Sequence, residues 1–136
     1  MISGISHINL SVQNLETSFS FYSQVLGLKP LARWTDGAYL LAGGLWFCLN
    51  QDSKTRTGPL PEYTHIAFKV PTEAFQKLSS AISNAGAIIW KDNSSPGDSL
   101  YFLDPDGHKL EIHVSDWQTR IQIAKKEKWE EMEFFV

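Results

Sequence analysis

The sequence predicts an α+β fold made of two tandem βαβββ modules. Three observations predict it. Two short segments, His7-Ile8-Asn9-Leu10-Ser11-Val12 and His65-Ile66-Ala67-Phe68-Lys69-Val70, alternate between apolar and polar residues, and each opens on a histidine opposite the apolar face. Each is followed by a stretch of helical spacing, and each of those stretches by further strand-like runs. The same order of elements in both halves marks an internal repeat, in which two pseudo-symmetric modules enclose a shared cavity.

Along residues 6–12, Ile8, Leu10 and Val12 share one face while His7, Asn9 and Ser11 share the other, as in a half-buried strand. Over residues 14–26 the apolar positions shift to Leu15, Phe19, Tyr22 and Leu26, which is helical spacing; Asn14 is the N-cap and Gly27 the stop. Strands are expected at residues 29–34, 38–41 and 45–50, with turns at Asp36-Gly37 and Gly43-Gly44. The polar stretch 51–61 reads as a linker.

The pattern then restarts, with a strand at 63–70, a helix at 72–85 carrying Phe75, Leu78 and Ile82, and a strand at 87–90. The turn Asp104-Pro105-Asp106-Gly107 joins two more runs as a hairpin, in whose second strand Glu111 and His113 lie opposite Leu110, Ile112 and Val114. Residues 115–128 form an amphipathic helix, and Glu133-Phe134-Phe135-Val136 is apolar enough for a final strand or a partner contact. The expected organisation is one domain over 1–136: a module of about 1–58, a second of about 62–114, and a helix and tail over 115–136.

Composition narrows the function. A net charge of −3 and a pI near 5.7 argue against an electrostatic nucleic-acid binder. The lone Cys48 excludes an intrachain disulfide and a thiolate zinc cluster, and it suits a reducing cytoplasm. No basic segment followed by a long apolar core is read at the N-terminus, and no run is long enough for a bilayer, so no membrane partner is expected.

A carboxylate on so apolar a strand as 110–114 signals a site. His7 and His65 occupy matching positions of the two repeats, and with Glu111 they make a facial set that leaves coordination positions open. Such N/N/O ligation suits Mn²⁺, Fe²⁺, Co²⁺, Ni²⁺ or Zn²⁺ alike. Taken singly, each residue is better read as a core histidine or an ion-pair partner; the repeat-related placement of all three favours the metal. His113 is a rival ligand, and His108 reads as a solvated turn residue. Lys91, Ser95, Ser99, Tyr101 and Arg120 have donors suited to a phosphate-like anion. The loop from Asn93 to Ser99 offers oxygens to a hard cation, and Tyr39, Trp46 and Cys48 lie where they would line a small-molecule pocket.

The segments HINLSV, FYSQVLGL, ARWTDGAYL, GGLWFCL, YTHIAF and SLYFLDPDGHKLEIHV, with the following WQTR, carry a resemblance over nearly the whole chain. The sequence resembles the vicinal oxygen chelate (glyoxalase-like) superfamily and, within it, the FosA-type fosfomycin-resistance glutathione transferases. The resemblance implies a Mn²⁺-dependent, K⁺-activated homodimeric enzyme that opens the epoxide of fosfomycin with the thiol of glutathione. It implies His7 from one subunit, and His65 and Glu111 from the other, as metal ligands. It places Lys91, Ser95, Tyr101 and Arg120 on the phosphonate, Asn93, Ser95, Gly97 and Ser99 around potassium, Trp46 on the substrate methyl, and Tyr39 near the thiol. Two positions depart from that pattern. Asn9 stands where threonine is common beside the reacting oxygen, and Pro96 where an acidic residue is frequent. An amide donates to an oxyanion as a hydroxyl does but is bulkier, which points to weaker activity or another substrate. The stretch Ala42-Gly43-Gly44-Leu45 has no acidic residue to activate water, which leans against an epoxide hydrolase. The alternatives are a related metalloenzyme using another thiol, water or a glyoxalase-like isomerisation, and a metal-free small-molecule binder.

Overall fold

The computed structural model describes residues 1–93 and 98–136. The chain runs β1 (His7–Val12), α1 (Leu15–Ser20), a π-helical turn (Phe21–Val25), β2 (Lys29–Trp34), β3 (Gly37–Ala42), β4 (Leu45–Gln51) and β5 (Ile66–Lys69). It continues with α2 (Thr72–Asn84), β6 (Ile89–Lys91), β7 (Ser99–Leu103), β8 (Lys109–His113) and α3 (Trp117–Glu127). Two four-stranded sheets result, in the orders β1-β4-β3-β2 and β5-β8-β7-β6. In each the first strand pairs parallel with the last, and the other pairings are antiparallel. A parallel partner requires a long return path, which the helix and two intervening strands supply in both halves. The expected α+β architecture of repeated βαβββ units is therefore present.

The apolar faces of both sheets feed one core. Val12, Tyr22, Leu40, Phe47 and Leu49 from the first half pack with Val70, Ile82, Phe102, Leu110 and Ile112 from the second. The faces opposite that core carry the polar residues singled out above. Among the described residues no helix is long and apolar enough to cross a membrane.

The expected helix over 14–26 is corrected by the structure: α1 stops at Ser20 and a π turn follows, closed by Leu26 N–H donating to the Phe21 carbonyl at 3.0 Å. Two consecutive aromatics of this turn, Phe21 and Tyr22, are buried in the core. The N-cap is as expected, with Asn14 Oδ1 accepting from Thr17 N–H at 3.0 Å. Asn14→Ala is expected to cost about 1 kcal/mol in urea unfolding by leaving that amide unpaired.

Two further expectations are corrected. Of the two expectations for residues 133–136, the strand does not form, and Lys125 Nζ donates to the Val136 carbonyl at 2.7 Å. His108 is not a solvated turn residue. It is buried, and its Nε2 donates to the Ser11 carbonyl at 2.8 Å, across the seam between the halves.

That seam is polar and satisfied. Tyr22 Oη donates to Asp104 Oδ2 at 2.7 Å, and Asp104 Oδ1 accepts from the backbone N–H groups of Asp106 and His108, both at 2.9 Å. Asp106 accepts from Gln13 N–H at 3.0 Å and Ser18 Oγ at 3.3 Å. The hairpin turn of the second half is thus docked on β1 and α1 of the first. The linker crosses the same turn: a Cβ on Gly107 would lie 2.5 Å from a backbone carbon of Gly58, so only glycine permits the approach.

Candidate metal and substrate site

The site is best built from the second sheet. Register places Tyr101 and Ala67 on either side of Glu111, and Ser99 beside His113, so these residues share the face opposite Leu110 and Ile112. Glu111 is buried with three partners. Ser99 Oγ donates to its Oε2 at 2.8 Å, His113 Nδ1 lies 3.3 Å from Oε2, and His65 Nε2 lies 3.1 Å from Oε1.

His65 immediately precedes β5, and its ring is fixed from behind. Nδ1 lies 2.9 Å from the Tyr63 carbonyl, which can only accept, so Nδ1 carries the proton. In the neutral ring Nε2 is then a bare lone pair aimed at a carboxylate oxygen 3.1 Å away. A proton or a metal cation between the two atoms satisfies both. A backbone carbonyl on Nδ1 is also the usual orienter of a metal-binding imidazole. The donor set fits a divalent cation.

Around this pair lies an aromatic cluster of Tyr63, His65, Trp90 and Tyr101, with ring centroids 5.0 to 6.1 Å apart. Lys91 Nζ sits 4.6 Å from the Tyr101 ring and 5.4 Å from that of Tyr63. Its hydrogen bond with the Tyr63 phenol raises its pKa above the ordinary lysine value, against the opposing effect of burial. Arg120 lies on α3, where its Nε is buried with no hydrogen-bond partner among the described residues. Such an orphan donor wants an acceptor. Asn93 is exposed at the rim, whereas Ser95 and Gly97 lie outside the described residues.

The first sheet carries the other half of the expected set. His7 pairs with Trp46, and Asn9, Cys48 and Tyr39 form a row across β1, β4 and β3. His7 is exposed, 4.6 Å from the Trp46 ring, and its Nδ1 lies 3.0 Å from Ser6 Oγ. Tyr39 meets Trp34 and Trp46 edge-on. Asn9 Oδ1 accepts from Asn50 Nδ2 at 2.8 Å. Cys48 is buried, and burial pushes its thiol pKa up, so it is no ready thiolate.

Within the single chain the three expected metal ligands do not all meet. His65 and Glu111 are together, while the ligand atoms of His7, His65 and Glu111 do not all lie within 4.8 Å of one another. Among the described residues the cluster that does gather is Asp104, Asp106 and His108. Its atoms are already engaged by Tyr22, Gln13, Ser18 and Ser11 across the seam, so it is a structural joint. Reading the sequence missed Tyr63 and Trp90. An aromatic pair flanking the second-repeat histidine and Lys91 was the available signal.

Comparison with known proteins identifies the family. Residues 4–112 match the Glyoxalase/Bleomycin resistance protein/Dioxygenase superfamily. The chain is 44% identical to the glutathione transferase FosA of Serratia marcescens over 98% of this chain and 96% of that one. It is 36% identical to the metallothiol transferase FosB of Lysinibacillus sphaericus over 98% and 97%. Among solved structures it is similar to a variant of the fosfomycin resistance protein FosX from Listeria monocytogenes complexed with Mn(II) and 1S,2S-dihydroxypropylphosphonic acid. That match has a TM-score of 0.78 and 27% identity, and covers 89% of this chain and 99% of the other. Full-length identity at that level, the repeated sheets and the paired His65 and Glu111 lead to one conclusion: the chain belongs to the glyoxalase/bleomycin resistance/dioxygenase superfamily and, within it, to the fosfomycin-resistance proteins.

Proposed function

We propose that this protein is a cytoplasmic enzyme that inactivates fosfomycin by adding the thiol of glutathione to its epoxide. It acts as a homodimer, with Mn²⁺ in the site and K⁺ in the adjoining loop. The observation that carries the reading is the pairing of His65 Nε2 with Oε1 of the buried Glu111 at 3.1 Å, while the Tyr63 carbonyl holds His65 Nδ1 from behind. His7 of the partner subunit completes the ligand set, since among the described residues of one chain the ligand atoms of His7, His65 and Glu111 do not all meet. The identity with a named glutathione transferase supports the choice of thiol.

When bound, the divalent cation supplies stabilisation of the negative charge that develops on the epoxide oxygen as its C–O bond breaks. The chain does the rest. Lys91, Arg120, Tyr101, Ser95 and Ser99 hold the phosphonate, and the two cations offset a charge that would otherwise repel the incoming thiolate. With Asn50 occupying Asn9 Oδ1, the Asn9 NH₂ group is left to donate to the same developing oxyanion. Trp46 packs on the methyl group, with Cys48 behind it, and Tyr39 lies toward the thiol as the candidate for its proton transfer, its phenol oxygen accepting the thiol proton as its own passes on to the opened epoxide oxygen, so that the adduct leaves as an alcohol. Asn93, Ser95, Gly97 and Ser99 hold K⁺. Holding both reactants together lowers the entropic barrier.

Phosphorus NMR of fosfomycin incubated with the protein, Mn²⁺ and glutathione should show conversion to a single adduct. Parallel samples with cysteine, bacillithiol or water alone should leave the signal unchanged. Turnover with another nucleophile would reassign the donor, and no turnover with any of them while Mn²⁺ is bound would reject the enzyme.

A further inference from the structure

We infer that Trp90 is a positioning residue for the cation site, because its indole touches one proposed ligand and is bonded to the peptide unit that carries the other. The inference rests on the metal assignment above. Trp90 sits where the register between β6 and β7 shifts, between the Ile89–Phe102 and Lys91–Tyr101 pairs. A bulge of this kind re-aims a side chain. Here it puts Trp90 among the aromatic residues of the polar face, and Trp90 takes no part in the apolar core.

From the edge strand β6 the indole reaches past β7 to β8, where Nε1 donates to the Leu110 carbonyl at 3.0 Å. That carbonyl belongs to the peptide joining Leu110 to Glu111. The same ring packs on His65, with centroids 5.4 Å apart at 60°, and on Tyr101 at 5.3 Å and 81°. Lys109 Nζ lies 5.2 Å from the indole centroid and is itself tethered to the Glu62 carbonyl. His65 is thus held at Nδ1 by the Tyr63 carbonyl and on its ring by Trp90, leaving Nε2 little freedom to turn from Glu111. Filling space would not require an N–H at that spot; bonding the Glu111 peptide does.

The test is a Mn²⁺ titration, read by the spin-resonance signal of the free ion, on the wild type, Trp90→Phe and Trp90→Leu. Loss of an outer-shell support typically weakens metal affinity about 10- to 100-fold, and that is the expectation for Trp90→Leu. Trp90→Phe keeps a ring but loses the N–H, and should fall between. A second readout needs no metal. Nitrogen NMR of the apo protein should show His65 as the Nδ1–H tautomer in the wild type and as a mixture in Trp90→Leu. A folded Trp90→Leu with wild-type affinity and an unchanged tautomer overturns the inference. If Trp90→Leu does not fold, wild-type values for both readouts in Trp90→Phe overturn it. If the wild type binds no Mn²⁺, the metal assignment falls by itself, and the tautomer comparison still decides whether Trp90 orients His65.

Discussion

Mixing His7→Ala protein with Glu111→Ala protein is expected to restore fosfomycin turnover that neither variant has alone. The single chain places His65 and Glu111 together on one sheet and His7 on the other, without all three ligand atoms meeting. With the proposed shared site, each pure variant dimer would lack one ligand in both of its sites. Loss of an outer-shell partner alone costs about 10- to 100-fold, so loss of a ligand should abolish measurable activity. Random exchange of subunits makes about half of the dimers mixed, and each mixed dimer has one intact and one doubly broken site. About a quarter of the wild-type sites should return, in proportion to the mixed dimer counted by native mass spectrometry. Exchange without recovery would show that the ligand set is not shared between subunits.

Tyr22→Phe is expected to destabilise the protein by about 2 kcal/mol at neutral pH, the scale of a lost hydrogen bond to a buried charged group. Tyr22 is fully buried, and its hydroxyl donates to Asp104 at 2.7 Å. Burial raises the Asp104 pKa above the ordinary value of 3.8, while the charge of His108 and the Tyr22 hydroxyl pull it down. A carboxyl with a raised folded-state pKa contributes stability that is present below its unfolded pKa and lost as pH rises through the folded one. Without the Tyr22 hydroxyl the folded pKa climbs further, so the loss on raising pH is larger in the variant. The deficit should narrow as pH falls toward 3.8, because protonation of Asp104 removes the charge that the Tyr22 hydroxyl stabilises. Urea unfolding at pH 7 and near pH 4.5 checks this; a deficit independent of pH would mean that the Asp104 charge is not what Tyr22 stabilises.

Much of the fold was legible because the repeat is written twice. Alternation places Ile8, Leu10 and Val12, and again Ile66, Phe68 and Val70, against one core, which fixes the opposite face as that of His7, Asn9 and Glu111. The features that escaped depend on contacts distant in sequence or on small breaks in a regular period. The spacing of Leu15, Phe19, Tyr22 and Leu26 fits an α-helix, and nothing in that spacing separates it from the π turn that forms over Phe21–Val25. His108 reads as a loop residue until the Ser11 carbonyl, far back along the chain, arrives at its ring. Trp90 escaped because its bulge is set by pairing with β7, which no local pattern announces.

The first sheet ends on β2, every residue of which is exposed, including Leu31 and Trp34. An open edge with such side chains invites other chains to add on as strands. Here the row of available donors is broken. Pro30 has no N–H to offer, and the register slips between Pro30 and Ala32. An incoming strand cannot stay in step for more than a few residues, so the margin that the sheet leaves uncovered is guarded against fibrillar growth.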